Sequence, residues 1–440
     1  MPFLRRAPLG PAPPPPDVPS VAVLVELCRS GSAGGHVKCW ERFAEAAAHR
    51  AVGSDDLDLT VYVLGRREGV EELSPRVRFI SLRPVFSARV LMPGMSGVDV
   101  TDLSPFHPRL AGLLPRHDIW HLTHAFAFSS TAVRLFRRIP PPQRPGLICS
   151  VHSDVPALAS VYARQTLDRV PGLSRCACGP GSGLPDVVRR LARRRHERLL
   201  RMCDRVLAAS PGGREEISAV TGPDRVSMLR RGVDHERFRP DPAARGELVR
   251  LHRVPADRPL VLFVGRVDDS KRAVLAAEAV HRLRRRGRAV HLVVVGSGAD
   301  EDRVARLLGP DVTRLGPQPQ HLLTRVYAGC DVFVFPSHTE TVGNVVAEAM
   351  ASRLPVLLPQ GANTTQWLAE PGRDGIVVSH DTPEGWARAL EDLLAHPQAR
   401  EAMGQRAAES ARLRHPSWSQ VFEEDLLPVW HRTARRHQAR

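Results

Sequence analysis

The sequence predicts an α/β protein built from two domains, each a doubly wound parallel sheet. Short apolar runs typical of buried strands alternate with runs of helical periodicity, and this alternation occurs twice along the chain. With 440 residues, the chain is too long for a single ordinary hydrophobic core. Glycine-rich or polar turns follow several predicted strands, which is where ligands collect in sheets of this type.

The first half of the chain opens on a strand at 20–27, whose continuous apolar run SVAVLVEL predicts burial on both faces. The glycine-rich turn RSGSAGGH and a helix from about residue 37 to 49 follow it. Residues 83–103 are irregular and rich in Gly, Pro and Met, which is typical of a mobile loop. The remaining predicted strands are 57–64, 77–82, 118–124, 146–151 and 204–209.

The second half repeats the alternation from residue 260 onward. Its predicted strands are 260–264, 293–295, 312–315, 331–335 and 355–358. Helices are predicted over 383–395, 398–412 and 417–435.

One stretch of the second half, CDVFVFPSHTETVGNVVAEAMASRLP, reads as strand, tight loop and helix. The helix begins after Gly343 and Asn344, and its unpaired N–H groups and positive dipole end suit a phosphate. Glu340 in the loop and Glu348 about one helical turn after Asn344 can bracket one ligand. Carboxylates accept hydrogen bonds from hydroxyl groups but are poor phosphate ligands. The pair therefore indicates that the glutamates bind sugar hydroxyls. An ordinary strand–helix unit with two surface glutamates has the same spacing.

Two cations follow the first strand of the second half. Arg266 and Lys271 are five residues apart across a turn, so both can reach one diphosphate, although paired surface cations are common. Asp268 or Ser270 is expected to cap the next helix. Asp268 and Asp269 raise the question of a metal, but turn and capping roles account for these carboxylates.

A histidine follows the strand 146–151. His152, Ser153 and Asp154 place ionisable groups at the carboxyl end of that strand, where many histidines have only a structural role. The later segment 171–185, PGLSRCACGPGSGLP, is predicted to be an insertion loop, and no function is assigned to it.

Together these motifs resemble the retaining glycosyltransferases of family 4, which have the GT-B fold. The resemblance rests on PSHTETVGNVVAEAMAS, on the Gly-Arg-x4-Lys of GRVDDSK, on the His-Ser-Asp after a strand, and on MLRRGVDHERFRPD as the link between domains. It covers roughly residues 20 to 430. The chain departs from the family where Ser270 and Arg272 replace a glutamate and a small residue, where Arg353 replaces a glycine, and at PQGANTTQW, which lacks the paired glycines and acidic residue.

The resemblance implies roles for individual residues. Glu340 contacts the transferred sugar, Glu348 binds the nucleotide ribose, and His152 reaches the sugar with Asp154 in support. The implied catalytic residues are His152, Arg266, Lys271 and Glu340. The implied donor-binding residues are Gly34, Gly35, Gly265, Thr341, Val342, Gly343, Asn344 and Glu348. No metal is required, and no cofactor is expected besides the nucleotide sugar as co-substrate.

The resemblance also implies the architecture. Two Rossmann-like doubly wound domains face each other across a cleft, and a C-terminal helix crosses back to the first domain. The expected segments are a disordered Pro-rich lead at 1–17, an acceptor-binding domain at 18–238, a nucleotide-sugar-binding domain at 239–415 and the returning helix at 416–440.

Composition predicts a soluble globular protein, with 42% hydrophobic and 25% charged residues. No apolar run approaches the roughly 20 residues needed to span a bilayer, and the N-terminal PLGPAPPPPDVP lacks an apolar signal core. Seven cysteines at irregular positions give no disulfide framework, so we expect a reducing cytoplasm.

The net charge of +15 suits nucleic acid, an anionic membrane or a phosphorylated substrate. Aromatic residues make up only 5% of the chain and no basic-aromatic stacking motif occurs, which argues against nucleic acid. The densest basic run, Arg189 to Arg201, is predicted to form a helix. It is either a solvated helix face or a patch that brings the protein to the inner face of a membrane.

The sequence thus predicts a retaining, metal-independent hexosyltransferase. It would move a sugar from a UDP- or GDP-linked donor to a hydroxyl of a glycolipid, polysaccharide or small-molecule acceptor. A nucleotide-sugar epimerase of the same fold is the alternative, and it would act on the donor without an acceptor. A non-catalytic glycan-binding relative is a third hypothesis, against which the intact set of Arg266, Lys271, Glu340 and Glu348 argues.

Overall fold

The computed structural model describes residues 18–29, 35–50, 56–87, 102–152, 183–340 and 342–438. These residues form two compact units. The first unit holds the described residues up to Arg230 together with residues 421–438, and the second unit holds Arg231–Gln420. Each unit has one sheet with helices between its strands, so the predicted pair of Rossmann-like domains is confirmed.

The first unit contains an eight-stranded sheet in the order β3-β4-β2-β1-β5-β6-β7-β8. Strands β1 and β2 lie inside this sheet and are buried along almost their whole length, as their continuous Val- and Leu-rich runs predict. The strands are β1 Ser20–Cys28, β2 Asp58–Leu64, β3 Gly69–Ser74, β4 Val77–Leu82, β5 Ile119–Leu122, β6 Gly146–Val151, β7 Arg205–Ala208 and β8 Val226–Met228.

Strand β3 is the edge strand that the sequence pattern did not predict. It pairs with β4 in the antiparallel sense, whereas the other neighbouring pairs of this sheet are parallel. Its residues GVEELS are partly or fully exposed and include two glutamates. Charged side chains are typical of an edge strand, and they remove the apolar signal on which strand prediction depends.

The helices of the first unit follow its strands. They are α1 Gly35–Ala48, α2 Pro108–Ala111, α3 Ala127–Arg138, α4 Leu184–Met202 and α5 Pro211–Thr221. Trp120 of β5, Phe128 of α3 and Leu200 of α4 are buried members of one hydrophobic core. Burial of Leu199 and Leu200 fixes the last turns of α4, while its arginines face outward.

The second unit contains a six-stranded parallel sheet in the order β11-β10-β9-β12-β13-β14. Strands β9 and β12 are neighbours at its centre, so the turns that follow them leave the sheet at the same edge. The strands are β9 Leu260–Val264, β10 His291–Val295, β11 Val312–Gly316, β12 Val332–Val334, β13 Val356–Pro359 and β14 Ile376–Val378.

The helices of the second unit alternate with its strands. They are α6 Ala244–His252, α7 Ala273–Arg285, α8 Glu301–Leu308, α9 Gln320–Gly329, α10 Asn344–Ala351, α11 Pro383–Ala395 and α12 Pro397–Arg414. Short 3-10 turns occur at Leu114–Arg116, Pro141–Gln143, Pro223–Arg225, Gly309–Asp311 and Asn363–Trp367.

The C-terminal segment returns to the first unit, as predicted. It consists of α13 Trp418–Val421, a π-helical turn at Phe422–Leu426 and α14 Leu427–Gln438. The fully buried Trp430 of α14 donates its indole N–H to Nδ1 of His121 at 3.1 Å. The Asp425 carboxylate accepts the backbone N–H of Arg230 at 2.8 Å.

No helix among the described residues combines the length and the apolar composition that a membrane-spanning segment needs.

Candidate functional site

The loop after β12 leads into the N-terminus of α10, at the position that the sequence predicts for phosphate binding. Gly343 is the N-cap residue of this helix with a left-handed φ of 71°, and among the described residues no side-chain cap hydrogen bond is made there. A Cβ atom at Gly343 would lie 2.6 Å from the methyl group of Thr364, so both the backbone angle and the available space require glycine. The first backbone N–H groups of α10 are therefore not occupied by the side chain of the N-cap residue.

Lys271 and Glu340 meet directly, although they lie in different loops. The Lys271 Nζ atom is 2.7 Å from Oε1 of Glu340, and the two side chains are 12% and 27% exposed. Thr339 joins the same two loops, because its hydroxyl donates to the Ser270 carbonyl at 2.9 Å. These contacts follow from the neighbouring positions of β9 and β12 in the sheet. Two of the four predicted catalytic residues are thus in contact.

Arg266 lies in the same turn as Lys271 but contacts other groups. Its guanidinium pairs with the Asp268 carboxylate at 3.1 Å and donates to the Ser270 hydroxyl at 2.9 Å. The side chain of Arg266 is 49% exposed. Residues of the same turn thus fix the guanidinium, and an anion bound to it would lie close to the Asp268 carboxylate.

The prediction that Asp268 or Ser270 caps α7 is wrong. The helix begins at Ala273, one residue after Arg272, and no side chain caps it. Asp268 instead caps the preceding turn, since its Oδ1 accepts the Ser270 hydroxyl at 2.6 Å and the Lys271 backbone N–H at 3.2 Å. Arg272, which departs from the family pattern, adopts a φ of 55° and pairs with Asp381 at 2.5 Å.

Glu348 lies on α10 and is held by a buried tyrosine. The hydroxyl of Tyr327 donates to Oε2 of Glu348 at 3.1 Å and lies 3.3 Å from the Val345 carbonyl oxygen. Burial and the charge of Glu348 raise the pKa of Tyr327 well above its usual value, so this residue stays a hydrogen-bond donor. Sequence reasoning did not identify Tyr327, because nothing in GPQPQHLLTRVYAGC separates it from an ordinary core aromatic residue.

Two glycines after β10 hold the cation-bearing turn in place. A Cβ atom at Gly296 would lie 1.9 Å from the Gly265 carbonyl oxygen, and one at Gly298 would lie 2.2 Å from that of Val267. The backbone N–H of Val267 donates to the Ser297 carbonyl at 3.0 Å. The glycines of VVVGSG therefore allow two turns to touch backbone to backbone, a close approach that the sequence signals only as a turn.

His152 belongs to a cluster of aromatic side chains in the first unit. It is 8% exposed and its Nε2 lies 2.7 Å from the Ser150 hydroxyl. Its ring centroid is 4.4 Å from that of His36 and 6.2 Å from that of Trp40. His36 is the second residue of α1 and His152 follows β6, so the cluster lies at the carboxyl edge of the first sheet.

His36 and His124 are members of this cluster that sequence reasoning missed. Their rings lie 4.2 Å apart, and both contact the Thr123 hydroxyl at 3.1 Å. Because Thr123 gives its single hydroxyl hydrogen to the Leu24 carbonyl at 2.8 Å, the two imidazoles act as donors to its oxygen. Burial lowers the pKa of His124 to about 4, so this ring is neutral at pH 7.

Not every predicted residue can be placed. Gly35 is the exposed first residue of α1, and Gly265 follows β9. Gly34, Thr341 and Asp154 lie outside the described residues, as do the lead 1–17 and most of the segment 171–185. Within the described part of the chain, no group of three or more His, Cys, Asp or Glu residues is arranged to hold a metal ion.

Two family models match this chain. The model described as Glycosyltransferase Family 4 matches residues 34–237, and the model described as Glycosyl transferases group 1 matches residues 258–396. The first model thus covers most of the first unit and the second model covers most of the second.

Individual relatives agree with these matches. A GDP-mannose-dependent alpha-mannosyltransferase of Mycobacterium tuberculosis is 32% identical over 314 residues, which cover 70% of this chain and 71% of that protein. A D-inositol 3-phosphate glycosyltransferase of Kineococcus radiotolerans is 33% identical over 239 residues, 49% of this chain, which spans about half (55%) of that protein.

A solved structure confirms the fold. The sucrose-phosphate synthase of Thermosynechococcus elongatus superposes with a TM-score of 0.67 at 20% identity, over 96% of this chain and 100% of that one. With the family models, the relatives and the two parallel α/β units in agreement, the chain belongs to glycosyltransferase family 4, and it is a GT-B glycosyltransferase that transfers sugar from a nucleotide sugar.

Proposed function

We propose that the protein is a retaining hexosyltransferase that uses a GDP- or UDP-linked donor. The acceptor is a hydroxyl of a glycolipid, a polysaccharide or a small molecule. The observation that carries the proposal is the contact of Lys271 with Glu340 in front of the uncapped N-terminus of α10. The GDP-mannose dependence of the mycobacterial relative supports a GDP-linked donor.

The second unit supplies the groups that the leaving diphosphate needs. As the sugar–phosphate bond breaks, negative charge develops on the diphosphate, and cations or backbone N–H groups aimed at it lower the barrier. Lys271 and Arg266 offer two positive charges, and the first turn of α10 offers amides at the positive end of the helix dipole. Each cation must exchange a carboxylate partner, Glu340 or Asp268, for the phosphate oxygens.

When Lys271 binds the diphosphate, the Glu340 carboxylate can accept hydrogen bonds from the hydroxyl groups of the sugar. Glu348, oriented by Tyr327, accepts ribose hydroxyls in the same way. One carboxylate therefore fixes the transferred sugar and the other fixes the nucleoside.

His152 of the first unit orients the transferred sugar. Its Nε2 atom lies 2.7 Å from the Ser150 hydroxyl, and this contact fixes the orientation of the imidazole. In the proposed retaining reaction, an oxygen of the donor phosphate helps to remove the acceptor proton, so the chain supplies orientation and charge rather than a general base. No metal and no cofactor other than the nucleotide sugar take part.

The basic helix α4 is the proposed contact with an anionic membrane. Its seven arginines are exposed, and Leu191 beside them is 59% exposed. Glu197 pairs with Arg193 at 3.1 Å and with Arg201 at 3.4 Å, which leaves a clear excess of positive charge on this face. Such a surface attracts anionic lipids at about 1 kcal/mol per arginine near the membrane. Sedimentation with vesicles of anionic or zwitterionic lipid tests this part of the proposal.

A donor assay tests the proposed reaction. The protein is incubated with GDP-mannose or UDP-glucose in EDTA, with and without added Mg²⁺ and a panel of glycoside acceptors. We expect an acceptor-dependent glycoside with the anomeric configuration of the donor, formed equally well in EDTA. An inverted product would contradict the retaining mechanism, a strict Mg²⁺ requirement would contradict metal independence, and conversion of donor alone would indicate an epimerase.

A further inference from the structure

The segment that departs most from the family pattern, PQGANTTQW, contacts the proposed donor site. Its last five residues form the 3-10 turn Asn363–Trp367 between β13 and β14. We term Glu340 and residues 342–344 the donor loop; Thr341 lies outside the described residues. We propose that Trp367 and Asn363 are positioning residues, which hold the donor loop so that its amides face the diphosphate. This inference rests on the proposed function.

Two side chains of the 3-10 turn bind carbonyl groups of the donor loop. The indole N–H of Trp367 donates to the Val342 carbonyl at 2.6 Å, and this contact is buried. The side-chain amide of Asn363 donates to the Glu340 carbonyl at 3.2 Å. In addition, the methyl group of Thr364 lies against Gly343, where no Cβ could fit. Three residues of the loop thus contact one short turn.

The 3-10 turn is itself anchored within the second unit. Trp367 is 5% exposed and Thr364 is fully buried. The carbonyl of Trp367 contacts Nε2 of His415 at 3.0 Å, and the two rings meet edge to face with centroids 4.5 Å apart. Burial lowers the pKa of His415, so its imidazole is neutral and donates one N–H to that carbonyl. The indole is therefore a fixed donor.

Because the peptide bond is planar, the contact of Trp367 with the Val342 carbonyl also fixes the direction of the following N–H group in the donor loop. The Val342 carbonyl and the Gly343 N–H belong to one trans peptide unit, so they point in opposite directions. Because the indole holds the carbonyl, the Gly343 N–H points away from Trp367. In the proposed donor site this N–H belongs to the amides that hold the diphosphate. Loss of the indole N–H frees the peptide unit to rotate.

Nucleotide titration by calorimetry tests the inference. GDP and UDP are each titrated into the full chain, and the tighter ligand is then compared with its monophosphate. In Trp367→Phe we expect the diphosphate Kd to rise about three- to tenfold, the effect of one net hydrogen bond. The Kd of the monophosphate should change less, because the displaced amide serves the diphosphate. Asn363→Ala removes the second contact from an exposed position, and its diphosphate Kd should rise as well.

Trp120→Phe is the matched control. Its indole also donates to a backbone carbonyl, that of Leu114 at 3.0 Å, and is also buried, but it lies in the first unit. The control should leave nucleotide affinity unchanged. Wild-type affinity in both Trp367→Phe and Asn363→Ala would overturn the inference, as would an equal loss for diphosphate and monophosphate. If Trp367→Phe does not fold, Asn363→Ala alone decides. Failure of the unmodified protein to bind GDP or UDP would overturn the proposed function and this inference with it.

Discussion

Replacement of Lys271 by alanine should separate the catalytic role of this residue from its structural one. The Lys271–Glu340 pair is 2.7 Å long and its side chains are partly exposed, at 12% and 27%. Ion pairs of this kind contribute about 0.2 to 1 kcal/mol, because solvent screens the charges and replaces the lost partner. For a unit of this size, such a loss lowers the melting temperature by no more than roughly 2 to 4 °C.

The expected effect on transfer is far larger. A group that stabilises developing charge on the leaving diphosphate contributes about 2.7 to 4 kcal/mol to the barrier, so Lys271→Ala should lose about 10²- to 10³-fold in kcat/KM. Glu340→Gln keeps the shape of the side chain and should lose transfer with a similarly small change in melting temperature. Both variants are assayed at a temperature well below unfolding.

Arg288→Ala is the matched control for this pair. Arg288 belongs to the same unit and pairs with Glu391 of α11 at 2.8 Å, but the Arg288 side chain is 61% exposed. It should lose little stability and no transfer. Full activity of Lys271→Ala with a lowered melting temperature would refute the reasoning, because it would make the pair purely structural.

Three further predictions concern buried or strained residues. Tyr327→Phe removes the hydroxyl that orients Glu348, so the KM for the nucleotide sugar should rise about three- to tenfold with little change in kcat. An unchanged KM would argue against the binding of ribose by Glu348. Glu26 is fully buried, and burial raises its pKa from 4.5 to about 7, so its contribution to stability is complete below pH 4.5 and is lost as the pH rises through 7. The free energy of unfolding of Glu26→Gln relative to the wild type, measured with urea, should therefore rise by on the order of 3 kcal/mol from pH 4.5 to pH 8. The same relative stability at both pH values would contradict this. Arg353 has a left-handed φ of 71° at the end of α10, so Arg353→Gly should raise the free energy of unfolding by about 1 kcal/mol, and a loss of stability would show that the arginine makes compensating contacts.

Much of the fold follows from local sequence signals. The buried strands β1, β2 and β9 have continuous apolar runs, and α11 occupies the residues predicted for it, since Thr382 caps it and Pro383 begins it. The edge strand β3 was missed because its exposed glutamates remove that signal. The π-helical turn at Phe422–Leu426 was also not predicted, because its sequence is compatible with a continuous helix.

The site was predictable where motifs lie close together in sequence. Gly343, Asn344 and Glu348 follow from one helical period. The contact of Lys271 with Glu340 was not predicted, because it depends on β9 and β12 being neighbours in the folded sheet. The contacts of Trp367 with Val342 and of Tyr327 with Glu348 join residues more than 20 positions apart. Only the folded sheet brings them together, so residue type and spacing carried no signal for them.

The most direct test of the central claim is hydrogen exchange of the full chain, measured by mass spectrometry with and without saturating GDP or UDP. If a nucleotide diphosphate binds to the second unit as proposed, peptides that cover residues 264–273 and 336–350 should become protected. Matched peptides from α11 and α12 should not change. Protection that is absent from both segments, or confined to the first unit, would contradict the account.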